Sequence, residues 1–186
     1  MKKLLYLAFN KPYGILSQFT SDNLNETLSI FNLPKDVYAC GRLDKDSEGL
    51  LLLTNDGALI DRLLNPIHDK VKTYWVQVEN IPTTEALANL EKGVVIGDYK
   101  TRPCKARILN PQPQIPERDP PVRFRKSVPT CWIEIELTEG KNRQVRRMTA
   151  AVGFPTLRLI RRKIGKLEIG NLAPGEFGEI RRDEIV

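Results

Sequence analysis

Between Arg42 and Asp56 the chain sets Asp44, Asp46 and Glu48 in a short polar loop, Gly41-Arg42-Leu43-Asp44-Lys45-Asp46-Ser47-Glu48-Gly49, and follows it with an apolar run at 50–53. Carboxylates spaced this closely suit three chemistries: cation binding, nucleophilic or acid–base catalysis, or none beyond a solvated turn. A calcium loop is the first to exclude. Asp44, Asp46, Glu48 and Gly49 take the early places of such a loop, but Asn55 stands where the closing bidentate Glu belongs, and Leu50 to Leu53 fill the polar places between. Catalytic carboxylate and plain surface turn both remain open on the loop alone.

No other residue type competes strongly for the chemistry. Cys40, Cys104 and Cys131 are odd in number, far apart and without a Cys-x-x-Cys pair, and His68 is the sole histidine. That set argues against a structural zinc site and fits reduced thiols of a cytoplasmic protein. Cys40 lies four residues before Asp44, but a Cys in an apolar run is ordinarily a small core residue, and no His stands near it in sequence. His68, between Ile67 and Asp69, reads as a solvated loop residue.

The 186 residues carry a net charge of +6, unevenly distributed. Between residues 141 and 166 lie nine Lys and Arg and no acid, so the rest of the chain is slightly acidic. A local basic stretch is the electrostatic footprint of a nucleic-acid binder, whereas a solubilising face mixes its signs. No apolar run approaches the roughly 18 residues that span a bilayer. The opening, Met1-Lys2-Lys3-Leu4-Leu5, has the flavour of a signal peptide but no small-residue cleavage site, and reads as the start of a first strand.

The elements that must position these residues follow from periodicity. Strands are expected at 4–10, 15–19, 37–43 and 50–54, with a short helix over 26–31. Asn55-Asp56-Gly57 opens a helix over 58–64, stopped before Pro66. In the strand at 71–79, Tyr74, Val76 and Val78 share one face. A helix from Pro82 ends at Gly93, and strands follow at 105–109 and 130–137. Between them, residues 110–129 are polar and rich in proline; they read as a projecting loop whose Arg118, Arg123, Phe124, Arg125 and Lys126 make either a flexible tip or an RNA-gripping arm. Asn142 is expected to cap a helix ending at Gly153, with Arg143, Arg146 and Arg147 on one side of it. Strands at 155–162, 166–169 and 178–180 complete an α+β chain with a largely antiparallel sheet and flanking helices.

The loop and its continuation, Gly-Arg-Leu-Asp-x-x-Ser-x-Gly-Leu-Leu-x-Leu-Thr-Asn-x-Gly, resemble the catalytic signature of RNA pseudouridine synthases of the RsuA family. Asn10-Lys11-Pro12-Tyr13-Gly14 resembles their first motif, Lys72-Thr73-Tyr74-Trp75-Val76 the block with the active-site Tyr, and Glu139-Gly140-Lys141-Asn142-Arg143-Gln144-Val145-Arg146-Arg147-Met148 their third motif. The likeness runs from about residue 7 to residue 177. It implies one catalytic domain over 1–186, of two lobes around a basic cleft, with residues 110–129 as a basic loop. It also implies that Asp44 is the catalytic nucleophile, that Arg146 pairs with it, and that Tyr74 packs on the target base. Arg42 would help hold a flipped-out uridine, and Lys11, Lys141, Arg143, Arg147, Arg158 and Arg161 would contact RNA. The isomerisation exchanges no electrons and no outside group, so no cofactor and no metal are expected.

Many such proteins carry an S4-type RNA-binding module ahead of the catalytic domain. Here the first motif begins at Asn10, which leaves no room for it. With the block at 153–161, that points to the subtype acting on large-subunit ribosomal RNA near the peptidyl-transferase region, as a cytoplasmic monomer. The competing reading is a non-catalytic RNA-binding or ribosome-assembly factor on the same scaffold, which would not need Asp44, Tyr74 and Arg146 together. A hydrolase using Asp44 and Glu48 lacks an identifiable aromatic platform for a sugar.

Overall fold

The computed structural model describes residues 3–64, 70–123 and 127–185, and the chain divides into two compact units. The first joins residues 1–70 to 161–186, and the second comprises 71–160. His68, Phe124, Arg125 and Lys126 lie outside the described residues.

In the first unit, β1 (Tyr6–Lys11) pairs antiparallel with β3 (Glu48–Thr54) on one side and with β11 (Phe177–Glu179) on the other. β2 (Tyr38–Ala39) also pairs β3. The apolar run at 50–53 is buried on both faces, as an unbroken run of leucines requires. Successive side chains leave a strand in opposite directions, so one run serves two cores. Leu50 and Leu52 pack with Ala8, Leu59, Leu63 and Ile169, while Leu51 and Leu53 pack with Leu7, Phe9, Leu28 and Val37. Each of these leucines, moved out of water, contributes about 1.5–3 kcal/mol before chain entropy is subtracted. Phe31 meets Phe9 edge-on, with ring centroids 5.0 Å apart.

Helix α1 (Gly57–Leu64) covers the first of these cores through Leu59 and Leu63, one turn apart. Asp56 opens it as expected: its carboxylate accepts from the Leu59 N–H at 3.1 Å and from the Tyr6 hydroxyl at 2.9 Å. Three expectations need correction here. Residues 15–19 form no strand; Leu16 only bridges Thr27. The strand at 37–43 shrinks to two residues because Gly41 turns the chain with φ at 81°. Residues 26–31 form two 3-10 turns, Leu24–Glu26 and Leu28–Ile30, separated by an extended Thr27.

The second unit is built on β4 (Lys72–Glu79), which pairs along its whole length with β8 (Thr130–Leu137), from Lys72↔Leu137 to Glu79↔Thr130. β7 (Lys105–Ile108) pairs the far side of β8. Helix α2 (Thr84–Lys92) is capped by the Thr83 hydroxyl, which accepts from the Ala86 N–H at 3.1 Å, and it ends at Gly93 as expected. A hairpin of β5 (Val95–Ile96) and β6 (Tyr99–Lys100) follows around Gly97-Asp98. Helix α3 (Gln144–Ala151) leads into β9 (Thr156–Ile164), whose last residues belong to the first unit, and β10 (Leu167–Glu168) folds back on β9 there.

The proline-rich stretch is not a free projection. Gln112 donates to the Leu109 and Trp132 carbonyls and accepts from the Trp132 N–H at 2.6 Å. Ile115 packs on the core of Leu109, Trp132 and Ile160. A polar segment can lie against a sheet when one amide side chain satisfies the strand edge beneath it.

Candidate active site

In the first unit, the loop that carries Asp44 is gripped on both sides of that residue. Ahead of it, the buried Ser17 hydroxyl donates to the Leu43 carbonyl at 2.8 Å and accepts from the Leu43 N–H at 3.0 Å. Behind it, the Lys45 carbonyl accepts from the Gly14 N–H at 2.8 Å, and the Lys45 ammonium pairs with Glu26 at 2.5 Å. The Asp44 carbonyl itself accepts from the Ser47 N–H at 3.0 Å and closes a tight turn. With its neighbours fixed, Asp44 keeps a half-buried side chain at a set position.

Lys11 explains why the first motif and the loop occur together. Its side chain is 0% exposed, and the ammonium donates to the carbonyls of Ile15 at 2.7 Å, Pro12 at 3.0 Å and Lys45 at 3.5 Å. Burial pulls its pKa from 10.5 down to about 7, against the opposing pull of the Glu48, Asp46 and Asp44 carboxylates. The expectation that Lys11 contacts RNA is therefore corrected: a side chain sealed from solvent and engaged with three carbonyls does not reach a phosphate. Asp46 and Glu48 act on Lys11 through their charge, in keeping with loop-shaping residues. Arg161 is likewise corrected. It is 4% exposed and donates Nε to the Leu50 carbonyl at 2.8 Å, holding the start of the leucine run. Gly49, at φ +103°, lies directly on the Arg161 backbone, where a side chain would collide with it. Arg42 is exposed.

Tyr74 and Arg146 belong to the second unit. Tyr74 stands on β4 opposite Ile135 and is 8% exposed, on the same face as Val76 and Val78. Arg146 is half-buried at the third residue of α3. The cap expected from Asn142 does not form. Arg143 holds the N-terminal position instead, in the left-handed conformation (φ 49°, ψ 33°) and without a side-chain cap. Glu139 and Gln144 secure this helix start; neither was singled out from the sequence, although both stand in the third motif. Lys141, Arg143 and Arg147 are exposed around it. Arg158 does not join them: it is 6% exposed, donates to the Pro116 carbonyl at 2.7 Å and lies 6.0 Å over the Trp132 ring, anchoring the proline-rich stretch. Long basic side chains bury their stems readily when the head finds a carbonyl or an aromatic face. Cys40 is buried, and its thiol is pushed up to about 11 by that burial, which leaves it without nucleophilic character near neutrality.

The chain is thus α+β, with a half-buried aspartate on a loop whose backbone is held on both sides. The chain belongs to the RNA pseudouridylate synthase family, whose model matches residues 5–151. Among curated proteins, ribosomal large subunit pseudouridine synthase E of Xanthomonas axonopodis pv. citri is 58% identical over 172 residues, 91% of this chain and 90% of that protein. Ribosomal large subunit pseudouridine synthase B of Bacillus subtilis is 35% identical over 97% of this chain and 70% of its own length. Among solved structures, a pseudouridylate synthase aligns over 100% of this chain and 74% of its own, with a TM-score of 0.80 and 28% identity.

Proposed function

We propose that this protein isomerises a specific uridine of large-subunit ribosomal RNA to pseudouridine, near the peptidyl-transferase region, acting as a cytoplasmic monomer. The observation that carries the reading is the backbone grip on the Asp44 loop by Ser17, Gly14 and Lys11, which presents one carboxylate at a fixed place. The names of the large-subunit relatives support the choice of RNA. Asp44 is the nucleophile. The bond from the ribose C1′ to N1 of the base breaks, the base turns, and a bond from C1′ to C5 forms. The proton leaves C5 and N1 gains one, so the reaction balances without an oxidant or a group donor.

Arg146 supplies the cation that keeps Asp44 ionised when the substrate excludes water. Tyr74 packs on the base and takes the C5 proton. Reaching such a site requires the uridine to leave its stack, at about a few kcal/mol, and Arg42 helps hold it there. Lys141, Arg143 and Arg147 contact phosphates, which adds affinity and salt dependence with little sequence information.

Tritium release from large-subunit RNA labelled at C5 of its uridines tests the reading directly. Wild-type protein releases tritium, and Asp44→Asn, isosteric but not nucleophilic, releases none while still binding the RNA. Equal release from both would remove Asp44 from the chemistry. RNA binding without release by either would favour the assembly-factor reading.

A further inference from the structure

Helix α3 cannot hold its own start. It has eight residues, too few for a stable helix in isolation, and Arg143 at its head provides no side-chain cap and occupies a backbone region that costs a non-glycine residue about 1–2 kcal/mol. The missing support comes from Glu139. Its carboxylate accepts from the Tyr99 hydroxyl at 2.5 Å, the Arg102 N–H at 2.9 Å and the Gln144 side-chain amide at 2.5 Å. Gln144 is 4% exposed, and its other amide atom accepts from the Lys141 N–H at 2.8 Å, so Glu139 sets which way that amide faces. Burial alone would raise the Glu139 pKa, but the bonds from Tyr99, the Arg102 backbone and Gln144 outweigh it and keep the carboxyl ionised below its ordinary range.

A second tie runs alongside. Arg147, one turn into α3, donates to the Ile96 carbonyl at 2.8 Å, and a side chain at Gly97 would come within 2.6 Å of that guanidinium. Lys141 lies 4.6 Å over the Tyr99 ring. The β5–β6 hairpin is thus bonded to the helix start through both of its strands. Arg146 sits between Gln144 and Arg147, the two helix residues that carry these ties.

We propose that Glu139 is a positioning residue for the isomerisation: through Tyr99 and Gln144 it braces the first turn of α3 against the hairpin and thereby sets the place of Arg146. The proposal rests on the role given to Arg146 above. It separates Glu139, which touches nothing that reacts, from a residue that merely stabilises the second unit, because its effect on rate passes through one other side chain.

The test is a double-mutant cycle on single-turnover pseudouridine formation at saturating RNA, with RNA affinity and folded fraction measured beside it. Glu139→Gln lowers the rate constant by about tenfold or more, as a small misplacement of a reacting group does, and leaves RNA affinity within about threefold of wild type. Tyr99→Phe has a smaller effect in the same direction, and Glu139→Asp, which keeps the charge, recovers part of the rate. In an Arg146→Lys background, Glu139→Gln adds less than about a twofold further loss, the non-additivity expected of residues acting as one unit. The same tenfold loss in both backgrounds would overturn the proposal while leaving the role of Arg146 intact. So would a fall in melting temperature with an unchanged rate per folded molecule. An Arg146→Ala protein that kept the wild-type rate would overturn the role of Arg146 and this proposal with it, an outcome distinct from the other two.

Discussion

At the scale of single residues, the unusual group is Lys11. A lysine with no exposed surface and a pKa near 7 releases its proton in the folded state at a pH where the unfolded chain still holds it. Between about pH 7 and 10.5 the unfolded state therefore binds more protons, and Lys11 makes stability rise with pH, by at most about 1.4 kcal/mol per unit. Below pH 7 both states are protonated and the cost of burying the ammonium is present in full. In Lys11→Met this pH-dependent term vanishes, so the stability of wild type minus mutant, from urea melts at pH 7, 8 and 9, is expected to grow steadily. A constant difference would mean that the ammonium stays protonated. The same substitution removes the donor to the Ile15 and Pro12 carbonyls, a loss of about 1–3 kcal/mol if they stay dry.

At the scale of elements, the strand that leaves the Asp44 loop depends on close backbone approach. Gly49→Ala would place a methyl on the Arg161 backbone at a positive φ that alanine resists. The expected cost is about 3 kcal/mol or more, read as a melting temperature roughly 6–12 °C lower; a change under about 2 °C would show that β9 moves aside freely. Gly49 also shows what the sequence could and could not tell. The periodicities of β4, β8 and α1 were legible because burial on one face leaves a mark at every second residue or every turn. Leu50 to Leu53 were legible as buried for a different reason: a strand covered on both faces carries an unbroken apolar run. The environments of Lys11, Arg158 and Arg161 were not. A basic residue in a motif reads as exposed, and nothing in its own segment reports that a distant carbonyl or a tryptophan ring will cover it. The proline-rich stretch misled similarly: its composition announces irregular backbone but not that Gln112 docks it on β8. The motifs singled out Asp44, Tyr74 and Arg146 as candidates from sequence alone, whereas the contacts that Ser17 makes with the Asp44 loop and Glu139 with the start of α3 needed coordinates.

At the scale of the whole molecule, the two units differ in how far apart in sequence their partners lie. In the second unit, β4 meets β8 across about 60 residues, as the Trp75–Glu134 bond spans 59. In the first, Arg161 reaches Leu50 across 111 residues and Asn10 reaches Leu172 across 162. Closing the longer loops costs more chain entropy, so the second unit is expected to form first on refolding. Pulse-labelled hydrogen exchange should find β8 amides protected before the Ile180 N–H, which bonds to the Tyr6 carbonyl; simultaneous protection would contradict this. The division of the first unit between two stretches of chain also bears on its synthesis. Arg161 and β11 are translated after the Asp44 loop, β1 and β3, so on a growing chain the Leu50 carbonyl still lacks its guanidinium donor and β1 its outer neighbour. The order of translation thus leaves the first unit the later of the two to gain all its strands, because β1 and β3 wait for partners made more than a hundred residues after them.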